Sequence, residues 1–303
     1  MEYTTFGKTG RIVSRIGFGG ATAGLKNYVR SFDPEDRSDQ EKVIAAIHRA
    51  LELGITYFDT APAYGAGASE RIFGEALDGA QLAPQAADAG AELFLATKVS
   101  PGQTPGEARA QMEGSLERLR RDHVDLYQLH GTVYTPEHEE AFFRKGGLID
   151  ELEKAKAEGL TKYIGFTVEA INETTLRLIK SGRFDTIQLA YNVIYQHPYD
   201  PYWKAGTMFD AEEQEMGIAV MRTVTSGVFQ KWIQAVNPEN TFDYSEALVQ
   251  FVLSNPLVDV ALLGMRSVER VEQNVAICED MAGRVDIERI HGKYPTPDGR
   301  IPK

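Results

Sequence analysis

Cysteine is almost absent from this 303-residue sequence: Cys278 stands alone, so no disulfide can form within the chain. No apolar run approaches the ~18–20 residues that span a bilayer, and Met1-Glu2-Tyr3-Thr4 lacks the cationic lead and apolar stretch of a secretory signal. A reducing, cytoplasmic setting with no membrane partner is the expectation. Positive charge is scarce as well. Lys and Arg number 32 against 44 Asp and Glu, a formal net charge of −12, which opposes sequence-independent nucleic-acid binding. A small basic pocket for one phosphorylated ligand is still compatible with that balance. The six histidines show no HExxH or paired Cys/His spacing, so no metal site is expected. Neither glycine-rich stretch, Gly17-Phe18-Gly19-Gly20-Ala21-Thr22 or Gly65-Ala66-Gly67-Ala68-Ser69-Glu70, carries the third glycine of the dinucleotide fingerprint at its last position.

What is present is a regular alternation of short apolar strands and amphipathic helices. The strands are expected at Ile16–Gly20, Ile55–Phe58, Leu93–Lys98, Asp125–His130, Tyr163–Thr167, Thr186–Leu189, Ile218–Met221 and Val258–Leu263. Helices are expected between them, the first opening at the capping-box pattern Ser38-Asp39-Gln40-Glu41. Eight strand–helix units predict an α/β fold, a (β/α)8 TIM barrel, with an open doubly wound sheet as the competitor. The whole chain, 1–303, is expected to be one domain, with an N-terminal β-hairpin in 2–16 around Gly7-Lys8-Thr9-Gly10 and a C-terminal tail at 293–303. Helix-to-strand links are terse apart from the Ala80–Ala91 insertion. The strand-to-helix loops Ala21–Asp36, Gly131–Gly146, Asn192–Gly206 and Thr223–Asp243 are long. In a barrel those long loops share the C-terminal mouth, where active sites sit.

Asp59, Lys98 and His130 end three consecutive strands, so this topology brings them to one mouth, and Tyr64 follows Asp59 after a short turn. An apolar strand has no packing use for such ends. A carboxylate can hold an ammonium in a buried place, the ammonium favours phenolate and lowers a tyrosine pKa, and an imidazole can orient a carbonyl oxygen. Together they suit proton transfer to or from an oxygen by Tyr64. No Ser or Cys is paired with a base, so covalent nucleophilic catalysis is not indicated.

The chain resembles the aldo-keto reductases over nearly its whole length. Phe58-Asp59-Thr60-Ala61 with Tyr64-Gly65, Thr97-Lys98, Ser115-Leu116-Glu117-Arg118-Leu119 leading to Asp125-Leu126-Tyr127-Gln128-Leu129-His130, and Gly165-Phe166-Thr167 carry the resemblance. It implies a barrel that interconverts aldehydes or ketones and alcohols with NADP(H), NAD(H) being the lesser choice, without metal. Tyr64 is then the proton donor, Lys98 and Asp59 tune it, and His130 steers the carbonyl. The resemblance also implies cofactor contacts at Gly20, Thr167, Gln188, Arg222, Gly264, Arg266, Arg270, Gln273 and Asn274. Val168 departs from the frequent Asn, Gln273 from the usual Glu, and Thr223 stands about where an aromatic ring often stacks on nicotinamide, with Arg222 a possible substitute. Ser267 opens the last helix, and a helix N-terminus flanked by Arg266 and Arg270 suits a 2′-phosphate. Tyr134, Tyr195, His197, Tyr199, Tyr202, Trp203, Phe229 and Trp232 are expected around the substrate mouth. Aromatic, polyketide-like and sugar-derived carbonyls or alcohols all stay open as substrates, as does the oligomeric state. A non-redox barrel isomerase or lyase and a cofactor-binding regulatory subunit are the alternative functions.

Overall fold

A computed structural model of the chain describes residues 1–29, 31–287 and 289; the tail expected at 293–303 lies outside them. Two strands, β1 (Tyr3–Thr5) and β2 (Ile12–Ser14), pair antiparallel as the N-terminal hairpin. Eight more, β3 (Ile16–Gly19), β4 (Tyr57–Asp59), β5 (Phe94–Val99), β6 (Val124–His130), β7 (Thr161–Val168), β8 (Thr186–Ala190), β9 (Gly217–Met221) and β10 (Val260–Leu263), follow in order. They close in sequence order into an all-parallel barrel, β10 pairing with β3. This is the (β/α)8 barrel, and the open sheet is excluded. Among the described residues no helix is long and apolar enough to cross a membrane.

Side-chain alternation along each strand separates two cores. Outward-facing residues such as Phe58, Leu95 and Leu129 meet the helices in the larger cluster. Inward-facing Tyr57, Phe94, Leu126, Ala219 and Val260 fill the barrel's lower interior with Phe6 from the hairpin. Tyr57 stacks on Phe94 with centroids 5.0 Å apart, and Phe6 meets both rings edge-on at 5.5 Å. The hairpin therefore plugs the N-terminal end. It sits so close that a Cβ on Gly217 would lie 2.6 Å from the Phe6 ring. With that end packed solid, a ligand can enter only at the opposite mouth.

Helix boundaries follow their caps, with local departures from expectation. The first long helix, Arg37–Glu52, is capped by Asp36, whose side chain accepts from Asp39 N, and not from Ser38. Ile55 does not begin β4; its N–H closes the end of that helix by donating to Ala50 O, and pairing starts at Tyr57. Thr104 and Glu107 form a reciprocal capping box ahead of Pro105–Leu119. Three segments expected as loops contain helices: Pro84–Asp88 in the alanine-rich insertion, Pro136–Phe143 after β6, and Val228–Val236 after β9. The second was signalled by Thr135-Pro136, a cap followed by proline at the first helical position. The third buries no residue, so no core stripe announced it.

Candidate active site

Asp59, Lys98 and His130 face inward on β4, β5 and β6 for the same reason Tyr57, Phe94 and Leu126 do, since each lies an even number of residues further along its strand. Lys98 is fully buried and Asp59 nearly so. The Lys98 Nζ donates to both Asp59 carboxylate oxygens at 2.7 Å and to Thr60 O at 2.8 Å. Burial alone pulls the Lys98 ammonium down, but Asp59 and Tyr64 together raise it, and it stays charged. Burial pushes the Asp59 carboxyl up against the opposing pull of Lys98.

Tyr64 lies across this pair. The Lys98 Nζ is 4.9 Å from its ring centroid, and the His130 ring stands edge-on to it at 5.5 Å. The expected lowering of the phenol's pKa is not the net result. Burial pushes Tyr64 up, and attraction and hydrogen bonding from Lys98 offset only part of that rise. His130 is moved down to about 3 by burial and by the nearby ammonium, so its imidazole is neutral at ordinary pH. The four groups the sequence singled out thus converge within a few ångströms.

The turn that carries Tyr64 is fixed from several sides. Tyr64 N donates to Ala61 O, and Tyr64 O accepts from Ser69 N. Gly24 packs so tightly beneath that a Cβ there would lie 2.3 Å from the Tyr64 carbonyl oxygen. Sequence reasoning passed over the buried Glu70 just beyond. It accepts from the Thr97 hydroxyl at 2.6 Å and from Arg118 Nε at 2.7 Å, tying the helix after Tyr64 to the strand that bears Lys98. It also passed over Gln128, whose Nε2 lies 3.4 Å from both Asp59 Oδ2 and Gln188 Oε1 inside the barrel.

A cleft of about 970 Å³ opens over these residues. At one end lie Asp59, Tyr64 and His130; at the other, Gly264, Arg266, Arg270 and Asn274, with Thr167, Gln188 and Arg222 also on its wall. Ser267 caps the helix Val268–Glu279, whose N-terminus faces this far end with its arginines. Arg266 spreads over the Phe32 ring at 4.8 Å, and Lys42 adds a cation that sequence reasoning did not pick out. Gly20 and Gln273 are set apart from the cleft. Gly20 lies under Asp59, where a Cβ would meet the Asp59 carbonyl oxygen at 2.6 Å, and Gln273 is exposed on the outer side of its helix. The Thr167 hydroxyl is engaged with Gly131, donating to its O and accepting from its N, so it braces the turn after His130. Thr223 is buried, bonded to Leu262 O, while Met221, whose sulfur lies 3.7 Å from Gln188 Nε2, is the residue beside Gln188 on the wall.

The aromatic residues divide. Tyr134 and Tyr199 are buried supports, Tyr134 donating to Leu129 O and Thr167 O and Tyr199 stacking on Phe209. Tyr195, Tyr202, Trp203 and Trp232 are exposed. Among the described residues no group of three His, Cys, Asp or Glu could hold a metal ion.

This geometry joins a buried phenol, set beside a buried ammonium, to a long cleft with cations and a helix N-terminus at its far end. Residues 15–294 match the model of the aldo/keto reductase family. An L-galactose dehydrogenase of Arabidopsis thaliana is 28% identical, the alignment covering 93% of this chain and 89% of that one. In fold, the chain is similar to the holo form of aldo-keto reductase AKR11C1 from Bacillus halodurans (TM-score 0.71, 24% identity, covering 96% and 95%). It is also similar to an aldo-keto reductase from Klebsiella pneumoniae in complex with NADPH (TM-score 0.67, 22% identity, covering 96% and 93%). The chain belongs to the aldo/keto reductase family.

Proposed function

We propose that this chain is an NADP(H)-dependent oxidoreductase that interconverts a carbonyl compound and its alcohol, with Tyr64 as the general acid and base. The observation that carries this reading is the fully buried Lys98, held by Asp59 and placed 4.9 Å from the Tyr64 ring at the floor of the cleft. The cleft fits the cofactor chemically: Arg266, Arg270 and the N-terminus beyond Ser267 would hold its phosphate end, and Gln188 and Met221 would flank its nicotinamide. When bound, NADPH supplies a hydride to the carbonyl carbon.

The chain's own residues manage the oxygen. Tyr64, kept protonated at neutral pH by burial, gives its hydroxyl proton to the carbonyl oxygen as that oxygen gains negative charge. The tyrosinate left behind faces the Lys98 ammonium and is stabilised by it. Water returns the proton to Tyr64 after the alcohol leaves, and alcohol oxidation runs the same transfers in reverse. His130, neutral because its pKa is about 3, acts as a hydrogen-bond donor that fixes the oxygen and not as a proton source. Asp59 keeps Lys98 charged and in place.

The relative named for L-galactose connects a sugar to this fold in that protein. For this chain the reading is tested by titrating NADPH and NADH against protein fluorescence and following nicotinamide absorbance with a panel of aldehydes, ketones and alcohols. Saturable NADPH binding with turnover is expected. Binding without any turnover would point to a regulatory subunit, and no nicotinamide binding would point to a non-redox barrel enzyme.

A further inference from the structure

Resting on the oxidoreductase reading above, we propose that Gln128 is a positioning residue, one buried amide that braces the carboxylate holding Lys98 against the amide that flanks the nicotinamide. The three side chains come from alternate strands, Asp59 from β4, Gln128 from β6 and Gln188 from β8, and alternate strands of such a barrel share an interior layer. Gln128 Nε2 lies 3.4 Å from Asp59 Oδ2 and 3.4 Å from Gln188 Oε1. An amide nitrogen carries two protons, so each acceptor takes one. The residue in register with Gln128 on β7, and with Thr186 beyond it on β8, is Gly165. A Cβ there would lie 2.3 Å from Thr186 Oγ1, so β7 sets no side chain between β6 and β8 at this level.

Packing alone gives no reason for an amide here. The interior residues below it, Phe94, Leu126, Ala219 and Val260, are apolar. A fully buried amide is unfavourable in such a place unless its groups are bonded. Gln128 Oε1 has no partner among the described residues. What the glutamine supplies, and a leucine or methionine of like size would not, is therefore its pair of donors. The neighbours also fix which way it points. Turned over, the amide would set Oε1 against two other acceptors, Asp59 Oδ2 and Gln188 Oε1.

Each end of the brace has a consequence. Asp59 Oδ2 also accepts from Lys98 Nζ at 2.7 Å, so Gln128 is a second donor to the oxygen that holds the ammonium, and it opposes the rise that burial imposes on that carboxyl. At the other end, Gln188 Oε1 accepts from Gln128, and Gln188 Nε2 lies 3.7 Å from Met221 Sδ. A thioether is a weak acceptor, so a Gln188 N–H remains for a ligand in the cleft that Gln188 and Met221 both line. Rotation of the Gln188 amide would exchange that donor for an acceptor. Hydride and proton go to adjacent atoms of one carbonyl, and a misplacement of about 1 Å between reacting groups can cost on the order of a hundredfold. Gln128 sets the two sources against each other.

The test is a double-mutant cycle on the full chain with the near-isosteric Gln128→Met and Gln188→Met. Single-turnover hydride transfer from NADPH, to a carbonyl that the wild type reduces, should slow about tenfold or more in Gln128→Met, the effect of one hydrogen bond to a charged group. Fluorescence titration should give nearly unchanged NADPH affinity in that variant, because the phosphate end of the cleft is untouched. The double variant should be slowed by less than the product of the two single losses. Urea unfolding of the cofactor-free protein gives an independent reading. Gln128→Met leaves Gln188 Oε1 buried without its donor, so removing that acceptor as well should restore part of the lost stability. Gln128→Leu carries the test if the methionine variant does not fold. A wild-type rate in the variant, a rate loss matched by an equal loss of NADPH affinity, or additive losses in either cycle would overturn this inference alone. Absence of wild-type turnover with every carbonyl and alcohol would overturn it together with the oxidoreductase reading.

Discussion

Replacing Lys98 by Met isolates the contribution of the buried ammonium. Its Nζ lies 4.9 Å from the Tyr64 ring centroid. A unit charge at that distance from a developing tyrosinate is worth about 3 kcal/mol at an effective dielectric near 20. Without it, the Tyr64 pKa should rise by a further ~2 units, and the chemical step should slow on the order of a hundredfold. Burial already pushes the Asp59 carboxyl up, and removing Lys98 removes the attraction that opposes that rise. The sign in pH follows. In the proposed mechanism carbonyl reduction needs protonated Tyr64, so its rate should fall as pH rises through the phenol's pKa, and in Lys98→Met that alkaline limb should move to higher pH. The assay is single-turnover loss of nicotinamide absorbance across pH, with NADPH affinity from fluorescence quenching. Denaturant unfolding runs alongside, because breaking a buried pair costs about 3–5 kcal/mol. A folded Lys98→Met protein with wild-type single-turnover rate and an unmoved alkaline limb would refute the reasoning.

Arg270→Ala removes one cation from the far end of the cleft and should weaken NADPH by roughly ten- to a hundredfold and NADH far less; equal losses in a binding titration would contradict the phosphate contact. Asp259 accepts from Ile218 N at 2.9 Å, and burial raises its pKa to about 6. The stability linked to its protonation is therefore fully present below the unfolded value of 3.8 and lost as pH rises through about 6. Asp259→Asn, whose side-chain oxygen can still accept from Ile218, should stabilise the protein at pH ~7 by up to roughly 3 kcal/mol and lose that advantage near pH ~4. Urea unfolding at the two pH values that showed the variant weaker at neutral pH would contradict the assignment.

The sequence made the barrel and its floor legible because both follow from period-two patterning. Asp59, Lys98 and His130 sit at positions whose parity matches inward-facing apolar residues, and three consecutive strands of a barrel must bring such positions together. What escaped depends on contacts between distant segments. Gln128 shares the inward parity of His130, but its place between Asp59 and Gln188 emerges only when the barrel closes. Glu70 reads as one charge among several until Thr97 and Arg118 are seen on either side of it. The hydrogen bonds from Tyr28 through Ser226 and Arg222 to Glu169 join residues 198 and 53 positions apart across the left-handed turn at Arg222, which no local pattern announces. The net direction of the Tyr64 shift was missed for a related reason: proximity to Lys98 was readable, but the extent of burial was not.

Tyr64→Phe tests the central claim most directly, because it removes only the hydroxyl proposed to transfer the proton. With NADPH and a substrate of the wild-type enzyme, single-turnover oxidation of the nicotinamide should fall by ~100-fold or more, while fluorescence titration gives nearly unchanged NADPH affinity. A Tyr64→Phe protein that binds NADPH normally and reduces the carbonyl at the wild-type rate would contradict the account.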